Sequence, residues 1–291
     1  CVLSGVPCQS GYLCNSVTQF CEKIPDCIDT PTACSSAEYC DLSTRQCVQK
    51  NCVIDPSICG SDQDCDASSK QCVTRTFVLG QPDSVQNINL AYGMSNPHSV
   101  LLVPDASSPG RTKLLVGDLG NRRVLIWNDI PQTNRAADSV LGQPDLNTTS
   151  SVPYGGVNES GIGSPYHLSS DGTQLAVGDV FSNRVLFFGQ IPTQMPTRGL
   201  IPALRVWGQS NFQSSAPNAG ATDTNATGVT AAWPFFGPLG RFYVSDFLNA
   251  RIVGFASPPP GSLTPASLVL GQPDFVSNTP AATDSGMSRP R

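Results

Sequence analysis

The sequence predicts an all-β protein in two parts. Three N-terminal disulfide-stapled cysteine-rich repeats come first. A partial β-propeller, open or truncated, of about three four-stranded blades follows. Three observations predict this. All twelve cysteines of the 291-residue chain fall between Cys1 and Cys72. After them a hexapeptide recurs at steps of 62, 66 and 63 residues. Gly (26) and Pro (25) punctuate short apolar runs, which favours turns and short strands over long helices.

The cysteines form a perfect internal repeat. Cys1, Cys8, Cys14 and Cys21 follow the spacing C-x6-C-x5-C-x6-C. Cys27, Cys34, Cys40 and Cys47 repeat it, as do Cys52, Cys59, Cys65 and Cys72. The units span residues 1–24, 25–50 and 51–75. A unit of this size cannot fold on its core alone, so each needs two disulfides, worth roughly 2–4 kcal/mol apiece. Four cysteines allow three pairings. First-to-third and second-to-fourth is the expected one, with the last two cysteines flanking a short hairpin. Zinc sites want C-x2-4-C pairs, which are absent here. Disulfides place the protein in an oxidising compartment, secreted or on the cell surface. Asp62, Asp64 and Asp66 alternate like a calcium-loop fragment, but the EF-hand glycine and terminal glutamate are missing. The expected reading is a solvated acidic hairpin. Over residues 1–73 the spacing resembles short secreted cysteine-rich modules such as those of Dickkopf-like proteins. That resemblance implies an extracellular spacer or interaction stalk.

Residues 76–291 repeat with a longer period. Val78-Leu-Gly-Gln-Pro-Asp83 recurs as Val140–Asp145 and Val269–Asp274, and in degenerate form as Val206-Trp-Gly-Gln-Ser-Asn211. Between these anchors lie Gly117-Asp118-Leu-Gly-Asn121-Arg-Arg123-Val124, Gly178-Asp179-Val-Phe-Ser-Asn183-Arg184-Val185 and Ser245-Asp246-Phe-Leu-Asn249-Ala-Arg251-Ile252. In the first repeat, strands are expected at about Ser99–Val103, Lys113–Gly117, Arg123–Trp127 and Ser139–Gly142. Four short strands per period indicate propeller blades. The repeats run over residues 84–145, 146–211 and 212–274, with the start of a further one at 275–291. These motifs resemble the NHL-repeat propellers of secreted and surface proteins. The third repeat lacks the proline-histidine start near Thr230–Gly240, so its strand boundaries are less marked.

The recurrent pairs Asp118/Arg123, Asp179/Arg184 and Asp246/Arg251 can be read as channel lining. One copy per blade is better explained by the fold: an acceptor and a fork-shaped donor pin a tight turn between two strands. The hexapeptide's Gln-Pro-Asp is expected to bend the chain out of an outer strand. The period exceeds the 40–45 residues of a common blade. The excess follows each hexapeptide, at Leu146–Ser164 and Phe212–Thr230, and is expected to be solvent loop. Asn147, Asn158 and Asn225 begin glycosylation sequons there, relevant in a eukaryotic host.

Three blades do not close a ring. The hexapeptide occurs four times for three blades, leaving the copy at Val78 spare. The natural chain is therefore expected to continue past Arg291 for roughly three repeats. The competing expectation is that two three-blade halves associate.

Chemistry-bearing residues are scarce. There are two histidines, His98 and His167, and they sit one position apart when the repeats are aligned on Pro97 and Pro165. They cannot supply a three-histidine zinc site. No nucleophile elbow appears, and Gly155-Gly156 and Gly161-x-Gly163 lack the strand-to-helix context of a phosphate loop. No catalytic residue, metal or cofactor is expected. A net charge of −5 argues against nucleic acid, and no apolar run is long enough for membrane insertion. The function expected is a non-enzymatic extracellular structural or adhesive protein. It would bind protein, through self-assembly or a surface partner, or glycan, in a matrix or filament, using exposed aromatics of the insertions such as Tyr154 and Tyr166. The alternative is a secreted metal-dependent propeller enzyme, lyase- or lactonase-like, whose site needs blades beyond Arg291.

Overall fold

The structure is a computed structural model. It describes residues 12–14, 21–23, 34–36, 38–44, 46–53, 55–60, 63–66, 68–74, 79–81, 93–105, 108–148, 153–196 and 200–291. The chain divides into two compact units, Cys1–Thr76 and Phe77–Arg291.

The described residues of the first unit include a series of hairpins. β1 (Tyr12–Cys14) pairs with β2 (Cys21–Lys23), β3 (Glu38–Asp41) with β4 (Gln46–Gln49), and β5 (Gln63–Asp66) with β6 (Gln71–Thr74). Each ladder puts the third cysteine of its repeat opposite the fourth: Cys14 faces Cys21, Cys40 faces Cys47 and Cys65 faces Cys72. The cysteines bond backwards instead of across. Cys52–Cys65 and Cys59–Cys72 staple the third repeat, first to third and second to fourth. Cys34–Cys47 is the second-to-fourth bond of the middle repeat, where Cys40 is also disulfide-bonded. The pairing of Cys1, Cys8, Cys14, Cys21 and Cys27 lies outside the described residues.

The β3–β4 and β5–β6 turns are each held by an aspartate. Asp41 Oδ1 accepts from the Ser43 backbone at 2.8 Å and its hydroxyl at 2.6 Å. Asp66 Oδ1 does the same with Ser68, at 2.8 and 2.6 Å. The Ser68 hydroxyl, the Ser68 N–H and the Ser69 hydroxyl hold the Asp66 carboxyl down at about 2. Of the acidic run, Asp66 is thus a turn cap, and Asp62 lies outside the described residues. The sulfurs of Cys52, Cys59 and Cys72 lie close together. All three are spent in disulfides, so no thiolate is present to bind metal.

The second unit contains three antiparallel four-stranded sheets, the blades. The first is β7 (Pro97–Pro104), β8 (Thr112–Asp118), β9 (Arg123–Trp127) and β10 (Ser139–Leu141). The second is β11 (Pro165–Ser170), β12 (Leu175–Asp179), β13 (Arg184–Phe188) and β14 (Arg205–Trp207). The third is β15 (Ala232–Phe236), β16 (Phe242–Asp246), β17 (Arg251–Phe255) and β18 (Leu268–Leu270). Chain order equals spatial order in each, and β11 runs beside both β7 and β15. These are the inner strands.

The period of two along each strand sends alternate side chains to opposite faces, and the core lies between the blades. Leu115, Val124, Ile126 and Leu141 of the first blade pack on Leu168, Val177, Leu186 and Phe188 of the second. The second blade's other face, with Val185, Phe187 and Trp207, packs on Phe242, Val244, Val253 and Phe255 of the third. Each such side chain contributes about 1.5–3 kcal/mol on burial. The far face of the third blade leaves Phe235, Leu268 and Leu270 exposed. On the first blade's far face Val100 and Leu102 are exposed.

The hexapeptide's role is a tight exit from the outer strand. Gly142, Gly208 and Gly271 follow β10, β14 and β18 with φ of 90°, 90° and 85°, and Gly80 adopts φ 90° as well. A side chain at these four positions would run into Met94, Ile162, Val229 or Met287, each just ahead of an inner strand or its counterpart. Asp145, Asn211 and Asp274 then cap the bend by accepting backbone N–H groups two and three residues on. Pro82 and Asp83 lie outside the described residues.

Two expectations change here. The insertions are not solvent loops throughout. Their last residues are core, with Ile162, Ser164 and Val229 fully buried, because each insertion must dive under the next blade to reach its inner strand. The third blade also needs no proline-histidine start. Ala231 takes the left-handed conformation, φ 63°, and β15 pairs with β16 along five residues in register.

Candidate functional site

Each Asp–Arg pair is a clamp at one end of its blade. Asp118 ends β8 and Arg123 begins β9, with a single 3-10 turn between them. Their separation is 2.8 Å, that of Asp179 and Arg184 is 3.0 Å, and that of Asp246 and Arg251 is 2.9 Å; all six side chains are 0% exposed. Each arginine uses all three of its nitrogens. Arg123 also donates to Leu146 O and Gly93 O, both at 2.6 Å. Arg184 reaches Phe212 O at 2.5 Å and Gly161 O at 2.8 Å. Arg251 reaches Phe275 O at 2.5 Å and Asn225 O at 2.7 Å. The other aspartate oxygen accepts from Ser95, Ser164 or Thr230 N at 2.7–2.8 Å. One ion pair thus ties the chain entering a blade to the chain leaving it. Burial raises the Asp246 carboxyl, and the Arg251 charge beside it opposes that. With no solvent access, these pairs cannot meet a substrate.

The histidines link blades. His98 Nδ1 bonds Tyr166 O and His167 Nδ1 bonds Pro234 O, both at 3.0 Å. A carbonyl accepts, so each ring carries its proton on Nδ1. Burial lowers the His167 pKa, and the neighbouring His98 adds to that.

Solvent-facing chemistry gathers at the end where the inner strands begin. The turns β8–β9, β12–β13 and β16–β17 lie at this end as well. Ring follows ring from blade to blade. His98 meets Tyr166 at a tilt with centroids 4.1 Å apart, and Tyr166 meets Trp233 edge-on at 6.3 Å. Phe181 of the second turn approaches Tyr166 at 5.9 Å, and Phe247 of the third approaches Trp233 at 4.7 Å. Guanidinium groups cover these rings: Arg122 lies 5.7 Å from Phe181, Arg289 lies 5.9 Å from Phe247, and Arg291 lies 5.0 Å from Phe247 and 5.9 Å from Trp233.

A cavity of about 380 Å³ opens among Tyr166, Phe181, Asn183, Trp233, Phe247 and Arg291. Its origin is one residue. At the first blade junction Arg122, in the left-handed position of its turn, extends to Gly163 O and to Ser164 Oγ and plugs the gap. Asn183 holds the equivalent position at the second junction. Its shorter side chain stops at Ala231 N and Ser215 O, and the gap stays open.

Of the aromatics expected to be exposed on insertions, Tyr154 is, but Tyr166 belongs to β11 and is half-buried. The irregular register between Pro165 and His167 turns Tyr166 toward this end. Phe181, Trp233 and Phe247 were not singled out by the sequence; an aromatic at or beside the turn's first residue was the available signal. A second cavity, about 300 Å³, lies at the opposite end beside Lys113 and Asp105, which bond each other at 2.8 Å. The sequon asparagines differ. Asn147 is exposed, whereas Asn158 and Asn225 use both ends of their amides within their loops.

No known family model matches the chain, and no curated protein matches it. Among solved structures, the RRP9 WD40 repeats align over 56% of this chain at 11% identity, with a TM-score of 0.28. The alignment spans about half (48%) of that structure's own length. Likeness at this level adds nothing to the strand pairing, on which the assignment of propeller-type blades rests. Among the described residues no helix is long and apolar enough to cross a membrane.

Proposed function

We propose that this chain is a non-enzymatic interaction protein of the extracellular space or cell surface. NHL-type blades carry a binding surface, and the cysteine-rich repeats serve as its stalk. The observation that supports it is how the polar groups are used. The three Asp–Arg pairs are sealed inside the blades and both histidine Nδ1 atoms are tied to neighbouring backbone. What faces solvent beside the cavity is Phe181, with Tyr166 and Phe247 half-buried next to it. Exposed aromatic surface beside arginine is the composition of binding hot spots and not of acid–base chemistry. The disulfides suit an oxidising compartment.

Peptide and glycan arrays probed with the wild-type chain and with Phe181→Ala/Leu248→Ala test it. Both side chains are exposed, so the fold should survive. Saturable binding that the double variant loses is expected. Chelator-sensitive hydrolysis of ester or lactone substrates would overturn the reading.

A further inference from the structure

We infer that the cavity between the second and third blades is a receptor for an acidic, apolar segment of a partner polypeptide. In such a segment a carboxylate adjoins an aromatic or aliphatic side chain. This deepens the proposed function and rests on it. Three properties of the site carry the inference.

The first is charge. The chain is acidic overall, with a net charge of −5. Yet among the described residues no Asp or Glu side chain lines this cavity, Arg291 does, and Arg122 and Arg289 lie over rings of the same wall. The guanidinium of Arg291 rests on Trp233 and Phe247, at the lip of an apolar space. A guanidinium beside aromatic rings offers its N–H donors to a carboxylate and repels a cation. The second is the wall itself. Tyr166, Phe181, Trp233 and Phe247 meet at interplanar angles of 67°, 86° and 77°, so edges and faces surround the space on several sides. Val180, Ala231 and Leu248 complete an apolar lining.

The third property separates a polypeptide from a sugar. The side-chain amide of Asn183 is engaged at both ends, and the Thr230 hydroxyl donates to Asn218 Oδ1 at 3.1 Å. Asn183 and Thr230 therefore have their bonds already, which leaves the Tyr166 hydroxyl and the Trp233 N–H as the neutral polar groups of the lining. A ring of sugar hydroxyls would find few partners among these and lose most of its hydration. An apolar side chain would not, and its neighbouring carboxylate would meet the arginine.

The test uses the intrinsic fluorescence of the full chain. Trp127 and Trp207 are sealed in the core, so a response to ligand reports Trp233. The probes are N-acetylphenylalanine, its amide, phenethylamine and glucuronate. Saturable quenching by N-acetylphenylalanine is expected, with the amide at least about fivefold weaker because the charge-assisted bond is gone. Arg291→Gln should erase that difference, and Phe181→Ala, at a 64% exposed side chain, should weaken both probes with an unchanged melting temperature. Equal affinity for acid and amide would overturn the assignment, as would preference for phenethylamine or glucuronate. So would the absence of a saturable response to any probe. That last result, alongside array binding that Phe181→Ala/Leu248→Ala abolishes, would leave the proposed function standing and remove only this receptor.

Discussion

Arg184 Nε and Asp179 Oδ2 lie 3.0 Å apart inside the second blade, with both side chains at 0% exposure. The pair closes a turn of four residues, Val180 to Asn183, yet its reach is the whole blade. The same arginine holds the carbonyls of Gly161, where the chain enters, and Phe212, where it leaves. Desolvating both charges is costly, so the pair is tolerated only because the lone pairs and N–H groups around it are satisfied.

Arg184→Met should therefore leave a buried carboxylate alone and destabilise the blades by about 3–5 kcal/mol. Urea unfolding monitored by the buried tryptophans checks it. A loss under about 1 kcal/mol, the scale of a surface pair, would show that the clamp is not structural.

His167 makes stability depend on pH. Burial, helped by His98, sets its folded pKa below the ordinary 6.5, so the unfolded chain binds more protons in the window just under that value. Stability then rises with pH through this window and falls on acidification. Melting temperatures at about pH 7.5 and about pH 5.5 should differ, and His167→Gln should shrink the difference. An identical drop in the variant would assign it to other groups.

The sequons should not behave alike. Asn158 Nδ2 donates to Gly155 O at 3.1 Å and to Tyr154 O and Gly156 O at 3.3 Å, while its Oδ1 accepts from Ser160 N and Gly161 N at 2.7 Å. Asn225 accepts from Thr227 N and Gly228 N in the same way. A glycan on either amide replaces one of its N–H groups. Peptide mapping of folded, secreted protein from a eukaryotic host should find glycan on Asn147 and little on Asn158. Equal occupancy would sink this. Asn158→Ala should cost roughly 1–3 kcal/mol, since it leaves buried N–H groups unpaired.

The third cysteine-rich repeat should depend on its staples. Replacing Cys59 and Cys72 together by alanine removes one of its two disulfides. A loss of about 2–5 kcal/mol is expected for a small domain, seen as proteolysis within residues 51–75. Melting of the blades should not move, because they form a separate compact unit. Unchanged protease resistance would count against the staple's role.

Much of the fold was legible. The strands expected at Lys113–Gly117 and Arg123–Trp127 are found as Thr112–Asp118 and Arg123–Trp127. Of the three pairings that the spacing left open, the first-to-third and second-to-fourth bonds expected are the ones found in the last repeat. Repetition explains this legibility: a requirement shared by every blade is written once per blade. The aromatic end is not a shared requirement. Arg122, Asn183 and Ala250 occupy one position of the turn, and a cavity opens beside Asn183, where Arg122 fills the corresponding gap.

By itself the sequence determined the local matters. These are the turn at each hexapeptide glycine, the alternation that makes strands, and the Asp and Arg five residues apart that can close on each other. They depend on neighbours within a few residues, where spacing is geometry. Tertiary structure decided which groups meet. Tyr166, Phe181, Trp233 and Phe247 come from two blades, and only the lateral packing of β11 against β15 gathers them around one space. It also decided the use of the sequon asparagines, since a side chain's hydrogen-bond partners are set by where the loop folds. Contacts across more than fifty residues leave no period to read.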